Sequence, residues 1–316
     1  MTASLDAVVG GTCVADILVR PVSLETPIGG GRLFHVEPVE FTTGGIVCNT
    51  GLAMQRLGAA VGAAALVGDD LWGREITARL TAAGVDASAV EPRAGGATST
   101  TAALIDAGGE RSFAHHVGVA GALDVEFLRR HAAAFARAPF AVLGYVGLLP
   151  GLEPNLAEAV AVLRGAGCRV VLETGGAGGA IADLGPALPG VDVFVPSLGE
   201  ARAHTGLATP AEIIACYRAL GAAGIVGVKC GAQGSVISPV PGSLIDVPCI
   251  PAPEPVMDTT GAGDCFLAGL VVGLGRRMPV EAAARLGAAT AACCVTRMGA
   301  TAGVRGFRET LQLAGL

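Results

Sequence analysis

Short apolar runs alternating with helix-patterned segments constrain this chain more than any other feature of its sequence. Residues 5–11, 63–67, 140–144, 169–172, 193–195 and 225–229 are brief stretches of Val, Ala, Leu and Ile bounded by Gly, Pro or charge. That is the pattern of strands buried on both faces. Between them, apolar residues recur at helical spacing: Leu52, Ala53 and Leu57 after Asn49; Leu71, Trp72, Ile76 and Leu80 after Gly68-Asp69-Asp70; then 153–164 and 211–220. Strand–helix alternation of this kind predicts an α/β fold, a mainly parallel central sheet flanked by helices on both faces. Ligands of such sheets gather beyond the carboxyl ends of the strands.

Two stretches leave this pattern. Residues 20–43 turn to Pro, Gly and the alternating piece 34–41, which suggests short strands with one wet face. Residues 100–105 and 111–117 flank the turn Asp106-Ala107-Gly108-Gly109, which predicts a hairpin. Both read as excursions, so the expected organisation is one domain over 1–316 with a small β-sheet lid built from about 14–43 and 98–117. With 52% hydrophobic and 15% charged residues the chain buries a large core. Mean hydropathy is +0.60, yet charges, Pro and Gly interrupt every apolar run before about 18 residues, so no membrane partner is expected. A net charge of -6 argues against nucleic acid. Nine scattered cysteines without a C-x-x-C pair indicate no zinc site and fit free thiols in a reducing, cytoplasmic setting.

The stretch most suggestive of chemistry is Asp258-Thr259-Thr260-Gly261-Ala262-Gly263-Asp264, which precedes the apolar run Cys265, Phe266, Leu267, Leu270, Val271 and Leu274. That run predicts a helix whose N-terminus falls at Gly261–Asp264, where unpaired amides and the helix dipole favour an anion. Asp264 there would stay ionised and could take a proton from a hydroxyl, which phosphoryl transfer to an alcohol requires. The same spacing fits a Gly-rich turn whose Asp merely caps the helix.

Other candidates follow from position. Asp16 is expected in the loop beyond the first strand, and Gly10-Gly11-Thr12-Cys13 does not complete a dinucleotide fingerprint. Gly44 and Gly45 would bring backbone close to a ligand, and Asn49 could hold sugar hydroxyls or cap its helix. Glu200, near a helix start, could hold a metal-bound water or cap that helix. Lys229 and Gly231 would border a nucleotide. His115 and His116 fit a strand edge or lid better than a metal site. The final helices, 280–286 and 288–296, are rich in small residues, suiting tight packing or close approach of an adenine ring.

Taken together, Asp16, Gly44-Gly45-Ile46-Val47-Cys48-Asn49, Val67-Gly68-Asp69-Asp70-Leu71-Trp72-Gly73, Lys229-Cys230-Gly231 and Asp258 to Asp264 resemble the ribokinase-like (PfkB) family of carbohydrate and nucleoside kinases. The resemblance implies an ATP- and Mg2+-dependent kinase acting on a hydroxyl, generally primary, of a sugar or nucleoside. It implies an anion hole at Gly261, Ala262, Gly263 and Asp264, with Asp264 as base. Asp16, Gly44, Gly45 and Asn49 match acceptor positions, and Lys229 and Gly231 the nucleotide loop. Asp258 and Thr260, with carbonyls near Cys294, Arg297 and Gly299, resemble the monovalent-cation (K+) loop of some members, although Gly303 stands where a polar side chain often completes it. Ser197 replaces the Asn of the family's N-x-x-E motif, which leaves Glu200 to organise Mg2+. Pairing of exposed lid edges would give a homodimer. Alternatives are a nucleoside kinase, a non-catalytic sugar or nucleotide sensor and, on weaker grounds, an NAD-dependent oxidoreductase.

Overall fold

A computed structural model of the protein describes residues 4–25, 29–175 and 181–316; part of the 14–43 segment, residues 26–28, lies outside them. In chain order the strands are β1 (Ala7–Gly11), β2 (Val14–Val19), β3 (Glu40–Gly44), β4 (Val61–Gly68), β5 (Asp86–Arg93), β6 (Ser99–Ile105), β7 (Arg111–His116), β8 (Phe140–Gly144), β9 (Arg169–Glu173), β10 (Val193–Phe194), β11 (Ile225–Lys229), β12 (Ser235–Ser238) and β13 (Ile245–Val247). They form a 9-stranded sheet in the order β13-β12-β11-β10-β9-β8-β1-β4-β5 and a 4-stranded sheet in the order β3-β2-β6-β7. From β11 across to β5 every pairing in the large sheet is parallel; β12 and β13 extend it antiparallel.

Alternation along the central strands divides the core in two. Ala7 and Val9, Phe140 and Val142, and Val171 face one side, against the helices Gly45–Arg56, Ala262–Gly275 and Val280–Cys294. Val8, Ala141, Leu143, Val170 and Leu172 face the other, against Leu156–Gly165 and Pro210–Ala219. Covering both faces is what lets these strands be apolar throughout.

The small sheet branches from the large one at β1. Thr12 and Cys13 alone separate β1 from β2, so the chain passes straight from the central sheet into the lid. Asp16 therefore lies in mid-strand and not in a loop; the β-branched and aliphatic residues around it carry the extended conformation across a residue that strands disfavour. The 34–41 alternation yields a strand only from Glu40 onward, because 32–39 is exposed almost throughout and has no buried face to hold it. The hairpin forms with its turn tied by Asp106, whose Oδ1 accepts from Gly108 N and Glu110 N. Strand β5 was not legible as one: it carries Pro92 and charge, which an edge position tolerates.

The two expected C-terminal helices are one, Val280–Cys294. Gly287 does not break it, since it is there for close approach: a Cβ at Gly287 would lie 2.6 Å from Phe266 O, and one at Gly269 would lie 2.7 Å from Gly287 Cα. The small residues pack on one face of this helix and border a cavity on another. Ala283, Leu286 and Gly287 pack toward the Ala262–Gly275 helix, while Ala288, Ala291 and Val295 line a cavity. Gly287→Val should therefore push these helices apart and lower the unfolding free energy by about 1–3 kcal/mol, as overpacking does. Urea unfolding followed by circular dichroism measures this, and an unshifted midpoint would contradict the packing argument.

Candidate active site

The Asp258–Asp264 stretch turns at Gly261, which has φ 75 and ψ 2, a left-handed conformation that Gly adopts without strain. A Cβ there would also sit 2.4 Å from the Ala300 Cβ. The helix starts at Ala262, and its first i to i−4 bond is Cys265 N to Gly261 O at 2.8 Å. The amides of Gly263 and Asp264 precede that bond at the positive end of the dipole. Beside them opens a cavity of about 350 Å³ bordered by Lys229, Gly231, Gly263, Phe266, Ala288 and Ala291. An anion on the turn and a flat apolar group in the slot are what these walls suit.

Asp264 is buried and belongs to the first turn of that helix. Asn49 Nδ2 donates to its Oδ2 at 2.8 Å and Tyr145 Oη to the same oxygen at 2.7 Å. Asn49 is inside its helix, not at the cap; Gly44 occupies that position. Burial pushes the Asp264 carboxyl above its usual range, against the Tyr145 and Asn49 hydrogen bonds and the charge of Lys229. Burial here opposes what the helix dipole favours.

Tyr145 follows the end of β8 in a left-handed conformation at φ 58, a strain that non-glycine residues bear at few positions. Its ring covers Gly175, where a Cβ would approach Cδ1 to 2.6 Å. At the end of β9, Glu173 is buried and accepts from Lys229 Nζ at 3.0 Å. Burial first, then the charges of Glu200 and Asp264, push Glu173 up to about 7 in spite of Lys229. Burial disfavours the Lys229 ammonium, but Glu173, Glu200 and Asp264 together outweigh it and keep it protonated. Lys229 Nζ lies 3.3 Å from where a Gly263 Cβ would stand, so the ammonium faces the turn.

Ser197 and Glu200 form a capping box, with Ser197 N donating to Glu200 Oε2 at 2.7 Å and Glu200 N to Ser197 Oγ at 3.3 Å. The shorter Ser thus caps the helix. Among the described residues no cluster of three or more His, Cys, Asp and Glu could hold a metal by itself. Mg2+ takes most of its ligands from phosphate and water, so Glu200 and Glu173, whose charge reaches Lys229, fit a supporting place in its shell.

The lid contributes a polar row. Strand register places Thr42, Asp16, Thr101 and His115 side by side across β3, β2, β6 and β7, on one face. Thr101 Oγ1 lies 2.9 Å from His115 Nδ1. Desolvation raises Asp16 to about 6, with the Thr101 hydroxyl pulling the other way. A Cβ on Gly44 would fall 2.0 Å from Asp16 Oδ2, and one on Gly45, at φ 79, would fall 2.4 Å from Thr12 O. A side chain at Gly44 would displace the Asp16 carboxylate, and one at Gly45 would meet the Thr12 backbone. Asn49 Oδ1 and Thr12 Oγ1 are buried and, among the described residues, without a hydrogen-bond partner.

Asp258, Thr260, Cys294 and Gly299 meet behind the turn. Asp258 accepts from Thr260 N at 2.7 Å and Gly299 N at 2.9 Å, and Cys294 Sγ lies 3.4 Å from Thr260 O. The Arg297 side chain instead pairs with Glu254 at 2.5 Å. Sequence reasoning missed Tyr145, Glu173 and Arg111, the last of which pairs with Asp258 at 2.6 Å. For Tyr145 and Glu173 a signal was present: each is a polar residue at the carboxyl end of a buried strand.

Residues 6–305 match the pfkB family of carbohydrate kinases. A ribokinase of Haemophilus influenzae is 28% identical over 291 residues, 89% of this chain and 90% of the relative. A 1-phosphofructokinase of Rhodobacter capsulatus is 38% identical over 121 residues, 36% of this chain and 35% of the relative. Arabidopsis thaliana ribokinase, solved with ribose and ATP, superposes with a TM-score of 0.86 at 24% identity, over 99% of each chain. An E. coli structure holding ATP and Mg2+ gives 0.80 at 21% identity, over 98% of this chain and 99% of its own. The large sheet, its lid and a match across nearly the whole sequence place this chain in the pfkB family of carbohydrate kinases.

Proposed function

We propose that the protein transfers the γ-phosphoryl group of ATP to a hydroxyl of a neutral sugar. The observation that carries this reading is the Asp264 carboxylate, buried at a helix N-terminus with two donors on one oxygen, Oδ2. That leaves Oδ1 to accept the acceptor's proton as its oxygen bonds to the γ-phosphorus and the bond to the ADP oxygen breaks. The amides of Gly261–Asp264 and the Lys229 ammonium counter the charge on the moving group. Gly231 and the apolar slot hold the nucleotide, and Asp16, Gly44, Gly45 and Asn49 orient the acceptor. When bound, Mg2+ neutralises β- and γ-phosphate charge, with Glu200 and Glu173 supporting its water shell.

A neutral polyol is favoured over other acceptors by three features. Asn49 Oδ1 and Thr12 Oγ1 are buried acceptors that suit hydroxyl donors. The charge state of Asp16 is governed by burial and Thr101, with no cationic side chain among its influences, which disfavours a phosphorylated or carboxylate acceptor. The Phe41–Trp72 aromatic pair, with centroids 5.2 Å apart, includes a β3 residue registered with Ile17, on the face opposite Asp16, so it offers a nucleobase no platform beside that row. In the lid, β7 is an edge strand with Phe113 exposed, and pairing there between copies is the form a homodimer would take.

A coupled ADP-release assay over pentoses, hexoses, their phosphates and nucleosides tests the acceptor; turnover on phosphates or nucleosides in preference to free sugars would reject this reading. Asp264→Asn should lower kcat about 10²- to 10⁴-fold while nucleotide affinity measured by calorimetry stays within a few-fold. Tyr145→Phe removes a donor that lowers the Asp264 pKa, so the acid limb of the kcat profile, where activity falls as Asp264 gains a proton, should move to higher pH. A limb that stays put would separate Tyr145 from the base. Because Asp16 in the folded protein titrates near 6, above its unfolded value, its contribution to stability is present at low pH and lost as pH rises through 6. Asp16→Asn should thus weaken acceptor binding yet be more stable than wild type at pH 8, on the order of 1–3 kcal/mol, with the gap closing toward pH 4. Urea midpoints at the two pH values check the sign.

A further inference from the structure

Arg111 sits at the start of β7, on the same face of that strand as His115, and its side chain leaves the lid to reach the turn behind the anion hole. Nη2 pairs with Asp258 Oδ1 at 2.6 Å and Nη1 donates to Thr260 Oγ1. Both partners are buried or nearly so: the Arg111 side chain is 17% exposed and that of Asp258 5%. Asp258 stands six residues before Asp264, so the contact ties the hairpin to the segment that carries the amides and the base.

The loop around Asp258 does not fit a monovalent cation. Asp258 Oδ1 already accepts from Thr260 N and Arg111, and Oδ2 from Gly299 N. The carbonyls beside it have close donors too: Cys294 Sγ lies 3.4 Å from Thr260 O and 3.1 Å from Ala300 O, its single S–H serving either, and Arg297 Nη1 donates to Thr296 O at 2.8 Å. Gly303 brings no side-chain oxygen, and a Cβ there would meet Cys293 O at 2.2 Å. A cation entering this loop would also face the guanidinium at contact distance. We infer that Arg111 is a positioning residue that supplies the positive charge for the Asp258 turn, so that the lid sets the anion hole and turnover needs no potassium. A guanidinium suits the task, being always charged and able to bridge a carboxylate and a hydroxyl with fixed geometry. The catalytic part of this inference rests on the proposed kinase activity; the structural part does not.

The test compares wild type, Arg111→Met and Arg111→Lys in potassium chloride and in choline chloride at equal ionic strength. Wild type should show the same thermal midpoint and the same kcat in both salts. Arg111→Met should lose about 10- to 100-fold in kcat, the size expected from a slightly displaced catalytic turn, with acceptor KM within about twofold. Its Thr260 and Gly299 amides should exchange with deuterium at least about tenfold faster, as their acceptor Asp258 loses its partner. Added guanidinium ion should restore part of that kcat, and Arg111→Lys, which keeps the charge without the bridge, should fall between Arg111→Met and wild type. A wild-type midpoint or kcat raised by potassium overturns the inference, as does an Arg111→Met protein with unchanged exchange and kcat. Should Arg111→Met not fold, the wild-type potassium response and Arg111→Lys decide. If wild type releases no ADP with any acceptor the proposed activity fails, while midpoints and exchange still judge Arg111.

Discussion

The structure is organised around one buried carboxylate oxygen. Asp264 Oδ2 receives Asn49 from the first helix of the chain and Tyr145 from the end of β8, residues 215 and 119 positions away in sequence. An ionised carboxylate in such surroundings is costly unless hydrogen bonds hold it, and these two donors supply that without touching the other oxygen. The fold makes the meeting possible. Central strands that run parallel deliver Tyr145, Glu173 and Lys229 to the same edge, and the Ala262–Gly275 helix brings its N-terminus to that edge because its small residues let it lie close to its neighbour.

The lid shows the same economy of space. Two residues separate β1 from β2, so the polar row across Thr42, Asp16, Thr101 and His115 is hung directly from the central sheet. Gly44 and Gly45 are the cost in conformational entropy of bringing the Asp16 carboxylate and the Thr12 carbonyl against backbone. At its far end the lid meets the Gly261 turn through Arg111 and Asp258. Burial opposes the charge on Asp258, but the Gly299 and Thr260 amides, the Thr260 hydroxyl and Arg111 outweigh it, so its carboxyl is held below the usual range.

What was legible in the sequence followed from local rules. The runs at 140–144 and 225–229 fall on β8 and β11, because residues buried on both faces leave an unbroken apolar signature. The Gly-rich turn announced a helix N-terminus, and the helix starts at Ala262. Less legible was anything decided by packing between distant segments. Gly287 looks like a break between helices until Phe266 is seen against it, and Asp16 looks like a loop residue until β3 and β6 are seen beside it. Arg111 carried no signal at all: an Arg after a hairpin turn reads as solvated, and only the third dimension brings Asp258 to it. Glu200 was open between metal support and capping, and Ser197 shows that its Oε2, at least, caps.

Burial at Asp264 sets two requirements against each other. A general base removes a proton more readily as its pKa approaches that of the working solution, but a smaller share of it is then ionised. Desolvation carries Asp264 in that direction, and Tyr145, Asn49 and Lys229 draw it back. Lys229 is in turn kept charged by Glu173 and Glu200, so the ionisation of Asp264 depends on residues that do not touch it. Glu173, pushed up to about 7, changes charge near neutrality. Protonating it takes one negative charge from the field around Lys229 and Asp264. That leaves the ammonium a stronger partner for the Asp264 carboxylate, and so ties the charge of Asp264 to that of Glu173 through Lys229.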